Sequence, residues 1–195
     1  MTNDPKSDLS ESKQKRVKVF IIVYPFALIT IAILVNWLLL GINNLTFSSP
    51  NDHVVTVLIL TTIGLLANHT WLMTATELTR LRYRLYATPE EWRNSGRDKQ
   101  QASSKGLEEL ERIHNAHRNT TENTVYFVLL GTLFVMFSPT VLAASVWLSI
   151  FAFARLGYTY SYLKGLDNIR GIFMSLGLLS LFGMASNLLL ALLAL

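Results

Sequence analysis

Five long apolar runs dominate the chain, at residues 19–40, 54–76, 107–137, 141–163 and 170–195, each bounded by a short polar stretch. A helix rises ~1.5 Å per residue, so about 20 apolar residues cross a hydrocarbon core of ~30 Å. Every run is long enough, and the pattern predicts an all-α integral membrane protein with five spans. Polar residues inside the runs are few: Pro25 and Asn36 in the first, Asn68, His69 and Thr70 in the second, Arg155 in the fourth and Asn187 in the last. Such groups are expected to face other helices rather than lipid. His69 is read as an interhelical hydrogen-bonding residue, and Gly183 with Asn187 as a close helix–helix face.

The third run differs from the rest. It begins polar, EELERIHNAHRNTTENTVYF over residues 108–127, and only then becomes continuously apolar. On a helix, Arg112, Asn115, Asn119, Glu122 and Tyr126 recur at steps of three or four and share one stripe, with Arg118 at its border. Ionisable groups where a helix enters the bilayer are costly, so the stripe is expected to face a bundle interior or a cavity.

The connections carry a second pattern. Lys13, Lys15, Arg16 and Lys18 precede the first run, Arg80, Arg82 and Arg84 follow the second, and Lys164 follows the fourth. The other two connections, 41–53 and the turn at 138–140, hold neither Lys nor Arg. The positive-inside rule then places the N-terminus in the cytoplasm. Residues 1–18 are expected to be a polar cytoplasmic tail, disordered at its start. Run 19–40 is too long for a signal-peptide core and has no small-x-small cleavage site after it, so it is expected to stay as an uncleaved anchor. In the loop 87–106, Thr88-Pro89-Glu90-Glu91 predicts a short capped helix.

Composition narrows the chemistry. Of 195 residues, 51% are apolar and 15% charged, with a net charge of +4. The basic residues lie beside apolar runs rather than on a soluble face, which argues against nucleic acid. With no cysteine, the chain has no disulfide, thiolate metal site or cysteine nucleophile, and any thiol chemistry uses a thiol from outside.

Three polar groups are expected to converge on the cytoplasmic side: the stripe of the third run, Arg155 with Tyr158 and Tyr162, and Arg170 at the positive end of the last helix, with Arg80 joining from the side. Arginines fork carboxylates, at ~1.5–3 kcal/mol for each charge-assisted bond. A tripeptide with two carboxylates and one amine, such as glutathione, suits this inventory. Arg170 is the candidate for holding its thiolate. The alternative, that the arginines only mark cytoplasmic helix ends, stays open on these grounds. Glu111, His114 and His117 have the spacing of a bundle metal motif. Matching carboxylates on other helices are lacking, so no metal is expected.

The stretch ELERIHNAHRNTTENTVYF also resembles the signature of the MAPEG family, the membrane-associated proteins of eicosanoid and glutathione metabolism. Glu111, Arg112, Ala116, His117, Asn119, Glu122 and Phe127 fit its pattern. TRLRYRLYATPEE and ARLGYTYSYLKGLDNIRGIF agree with flanking blocks of that family, in order. The resemblance covers about residues 50–195 and is closest to the branch of microsomal glutathione transferase and prostaglandin E synthase. It implies a four-helix transmembrane bundle, with run 19–41 as an extra N-terminal helix outside it. It also implies a homotrimer binding glutathione between neighbouring subunits. By position, Arg80, Arg118, Asn119, Glu122, Arg155 and Tyr162 match glutathione contacts, and Arg170 matches the arginine that stabilises the thiolate. Asn115, Tyr158, Gly171 and Met174 depart from the prostaglandin E synthase pattern and argue against that activity. The expected activity is a glutathione transferase, or a peroxidase, acting on apolar electrophiles from the lipid of a bacterial inner membrane or an endoplasmic reticulum. The alternative is a non-catalytic lipid-binding scaffold.

Overall fold

The computed structural model describes residues 11–137 and 139–194. The start of the expected polar tail, residues 1–10, and Ser138 of the expected turn lie outside the described residues. Among the described residues, six α-helices follow in order: α1 (Glu11–Val35), α2 (Asp52–Tyr83), α3 (Pro89–Asn94), α4 (Ser104–Met136), α5 (Val141–Lys164) and α6 (Asp167–Leu193). A π-helical turn, Asn36–Leu40, extends α1. The described part of the tail, from Glu11 on, is helical. Its Glu, Lys, Gln and Arg residues are good helix formers, and the apolar run behind them has already nucleated the helix.

Local chemistry sets the helix starts. Asn51 Oδ1 accepts from the His53 N–H at 2.8 Å to cap α2, and Thr140 Oγ1 accepts from Ala143 at 3.0 Å to cap α5. Thr88 caps α3 with Pro89 in its first turn, as its sequence predicts. Ser103 caps α4, which starts at Ser104, three residues before the apolar pattern does.

α2, α4, α5 and α6 pack around one core. Phe127, Phe134, Trp147, Leu148, Phe151, Leu181 and Met184 are all buried in it. The rings of Phe127 and Phe151 stack at 4.2 Å, fixing α4 against α5. Toward the end rich in arginine, called here the basic end, Leu72, Ile113 and Ala116 form a second small cluster under Tyr162. Among the described residues, four helices, α1, α2, α5 and α6, are long and apolar enough to cross a membrane. α4, the expected third span, lacks a long enough apolar stretch because its first half is polar, yet it packs against α2, α5 and α6.

α1 lies against α6, outside the bundle of four. It exposes Phe20, Ile22, Phe26, Trp37 and Leu39 on its free side. Its far end is not loosely attached. Asn36, fully buried, donates through Nδ2 to the Gly183 carbonyl at 2.8 Å and to Ser186 Oγ at 2.9 Å. Its Oδ1 accepts from Trp147 Nε1 at 2.9 Å and from Asn187 Nδ2 at 3.3 Å. The face expected around Gly183 and Asn187 is present: Asn187 meets Asn36 at the end of α1, and Gly183 leaves room for the Trp147 ring of α5.

Candidate functional site

The turn between α5 and α6 builds a polar cleft. Gly165, at φ 68°, lets the chain reverse in the left-handed region. The Leu166 N–H then donates to the Ser161 carbonyl at 2.8 Å, closing α5. α6 starts two residues later, so Arg170 sits in its first helical turns. No side chain caps α6, so its first N–H groups keep their positive field. Arg170 Nη1 pairs with Asp167 Oδ1 at 3.0 Å, and its guanidinium carbon lies 4.8 Å from the centre of the Tyr162 ring. Together with Glu108, Glu111, Arg112, Asn115, Tyr162, Gly165 and Asp167, Arg170 lines a cleft of about 400 Å³. Glu108 and Asp167 were not foreseen there. The spacing of Asp167 to Arg170, three residues on a helix, was a readable signal for an ion pair.

Arg155 occupies a different place from the one expected. It is fully buried, with Phe151 and Tyr158 rings 5.7 and 5.1 Å from its guanidinium carbon. Nη1 donates to Asn119 Oδ1 at 3.2 Å, while Nε and Nη2 have no partner. Gly177 of α6 packs against the guanidinium so closely that a Cβ there would overlap it. Both amide atoms of Asn68 and the hydroxyls of Thr120 and Thr159 are likewise buried without partners. Arg155 thus presents no open face, and what it presents to the outside is an oriented Asn119.

The remaining expected residues do not meet in one chain. Arg118, Glu122 and Tyr126 are exposed, and Arg118 Nη2 donates to Asn115 Oδ1 at 2.9 Å. The stripe was expected to face a bundle interior or a cavity. The structure turns its outer half away from the bundle, because Ile113, Ala116, Thr120 and Phe127 take the buried side of α4. Arg80 pairs with Glu77 at 2.6 Å on α2. His117 does not assemble with Glu111 and His114. Its Nε2 lies 3.1 Å from His69 Nδ1, so His69 makes the interhelical contact expected of it.

The model of the MAPEG family matches residues 57–190, which spans α2 to α6. Microsomal glutathione S-transferase 1 of Rattus norvegicus is 34% identical over 105 residues, covering 52% of this chain and 66% of the rat protein. The Sus scrofa protein of the same name is 33% identical over 111 residues, covering 55% and 70%. The Bos taurus one is 31% identical over 126 residues, covering 63% and 79%. The chain thus spans just under two thirds of the rat relative's length. The family match runs through all the bundle helices, and the apolar helices make this an integral membrane protein: the chain belongs to the MAPEG family.

Proposed function

We propose that this protein is a membrane glutathione transferase, with glutathione as thiol co-substrate and an apolar electrophile arriving from the bilayer. The observation that carries the reading is Arg170, held over Tyr162 at the uncapped start of α6 inside a polar cleft. The cleft suits glutathione chemically. Arg112 and Arg170 match its carboxylates or its thiolate, and Glu108 and Glu111 match its amine. Its volume of about 400 Å³ falls within the usual range for small ligands.

Bound there, glutathione supplies the nucleophilic sulfur. Arg170 and the α6 terminus favour the charged form of a thiol over the neutral one, which lowers its pKa. Asn119, whose Oδ1 accepts from Arg155 at 3.2 Å, supplies a further glutathione contact in this reading. Reduction of lipid hydroperoxides by the same thiolate belongs to this reading.

Arg80, Arg118 and Glu122 complete the site only from another copy, so the functional unit is a homotrimer with glutathione between neighbours. Residues 50–195 form the catalytic unit, 19–41 the added anchor and 1–18 a cytoplasmic tail. The basic end, and the N-terminus with it, faces the cytoplasm.

The test is titration of the purified protein with glutathione, following the ultraviolet absorbance of thiolate. Thiolate is expected in the wild type and not in Arg170→Ala, with kcat/KM falling roughly 10²–10³-fold in the variant. A second reading, a lipid-binding scaffold without catalysis, is favoured by the Asp167 carboxylate that already pairs with Arg170. A wild-type protein that does not bind glutathione would decide for it.

A further inference from the structure

The cleft around Arg170 has the wrong net charge for its proposed ligand. Three carboxylates line it, Glu108, Glu111 and Asp167, against two guanidiniums, Arg112 and Arg170. One negative charge is in excess. Glutathione, with two carboxylates and one ammonium, brings another, and its thiolate a further one. A positive field from outside the cleft is needed to draw it in.

The first turns of α1 are placed to supply that field. The Tyr24 hydroxyl donates to Ser175 Oγ at 2.6 Å, and Asn187 Nδ2 donates to Asn36 Oδ1 at 3.3 Å. Both pairs are 151 residues apart, so α1 and α6 run parallel and in step over about three turns. Carried back from Tyr24, the same offset sets Arg16 level with Asp167 and Val19 level with Arg170. Lys13, Lys15, Arg16 and Lys18 are all exposed at that level, and no acid follows them before Asp52. Packed helix axes lie ~8–10 Å apart, and a charge is felt over ~10 Å at 0.1 M salt. Gly171, next to Arg170, puts no side chain in the way: a Cβ there would meet open space. The low dielectric of the bilayer beneath concentrates such a field toward the cleft.

We propose that the basic first turns of α1 capture the anionic thiol electrostatically and pass it to the cleft of Arg170, favouring thiols with a net negative charge. The proposal rests on the glutathione reading above and gives a role to a helix that lies outside the residues matched by the family. Orientation in the membrane also calls for basic residues here, but orientation alone gives them no effect on the rate of capture.

The test is stopped-flow absorbance of thiolate in a nonionic detergent, where the direction of insertion no longer matters. The wild type is compared with a variant combining Lys13→Gln, Lys15→Gln, Arg16→Gln and Lys18→Gln, and with one combining Lys13→Arg, Lys15→Arg and Lys18→Arg. At ~0.01 M salt, where charges are felt over ~30 Å, the glutamine variant is expected to form thiolate about tenfold more slowly at low glutathione, the lower end of what steering achieves. The arginine variant should match the wild type. At ~1 M salt, with screening within ~3 Å, the gap should close. The amount of thiolate at saturating glutathione should be equal in all three, since Arg170 is untouched. Glutathione monoethyl ester, which has one negative charge fewer, should show little difference among them. Each single glutamine substitution should show part of the loss, so the outcome does not depend on the combined variant folding. Equal rates with glutathione at low salt would overturn the proposal and leave the glutathione reading standing. So would a gap that persists at high salt, or a loss that the arginine variant shares. A wild type that forms no thiolate at any glutathione concentration would overturn both.

Discussion

Arg155 shows how far a single residue's surroundings depart from its sequence position. A charge inside a span marks a functional candidate, and that much could be read from the chain. What could not be read is that Gly177, 22 residues on, leaves the space its guanidinium fills. Helix periodicity places Gly177 on α6 but carries no information about which side chain of α5 it meets. Gly177→Ala is therefore expected to displace Arg155, release Asn119 and lower both stability and glutathione affinity. Alanine in a helix gains about 1 kcal/mol over glycine by propensity alone, so a net loss isolates the steric effect. Gly171→Ala, which meets open space, should gain that propensity without the loss. Thermal unfolding of the two variants side by side checks this; a Gly177→Ala protein that gains as much stability as Gly171→Ala would show that Arg155 moves at no cost.

At the scale of elements, helix starts were legible and helix partners were not. Thr88-Pro89 announces α3, and the apolar runs announce α1, α2, α5 and α6. The attachment of α1 was not legible, because Asn36 meets its partners Trp147, Gly183 and Ser186 more than a hundred residues away. Asn36 uses both its donor and acceptor sides. Asn36→Leu strands the indole N–H of Trp147, at about 1–3 kcal/mol for a buried donor without a partner. The expected result is a lower unfolding midpoint with α1 becoming protease-sensitive, and Thr30→Leu, on an exposed turn of α1, should do neither. α2 ends differently: Arg84 takes the left-handed conformation at φ 53°, with the Leu85 N–H donating to the Arg80 carbonyl at 2.9 Å. A side chain at that position costs about 1 kcal/mol that glycine avoids. Arg84→Gly should raise stability by about that amount in denaturant unfolding. No gain would mean that the arginine side chain holds a compensating contact of its own.

For the whole molecule, the outer face of α4 is the feature a single chain leaves unresolved. Arg118 and Glu122 are exposed just before the helix turns apolar, and Tyr126, 63% exposed, lies one turn further in. A charge at membrane depth costs on the order of 2.5–3.5 kcal/mol against lipid even by the lower scales. Helical spacing announces a polar stripe, but whether it closes inside the chain or outside depends on which residues of α4 win the core. Ile113, Ala116, Thr120 and Phe127 win it, and the stripe is left for a neighbour. The proposed homotrimer covers it with the same surface of other copies. Tyr126→Cys tests this in a chain with no cysteine of its own, since any disulfide formed must join two copies. Mild oxidation in the membrane should convert most of the protein to covalent dimers, and Leu39→Cys, exposed and apolar on the far end of α1, should yield none. Sedimentation of the unmodified protein in detergent should give three copies. Monomers in both measurements would leave Arg118 and Glu122 facing water rather than a partner. α4 would then line a wet edge of the bundle, and the glutathione site would have to be complete within the cleft of Arg112, Tyr162 and Arg170.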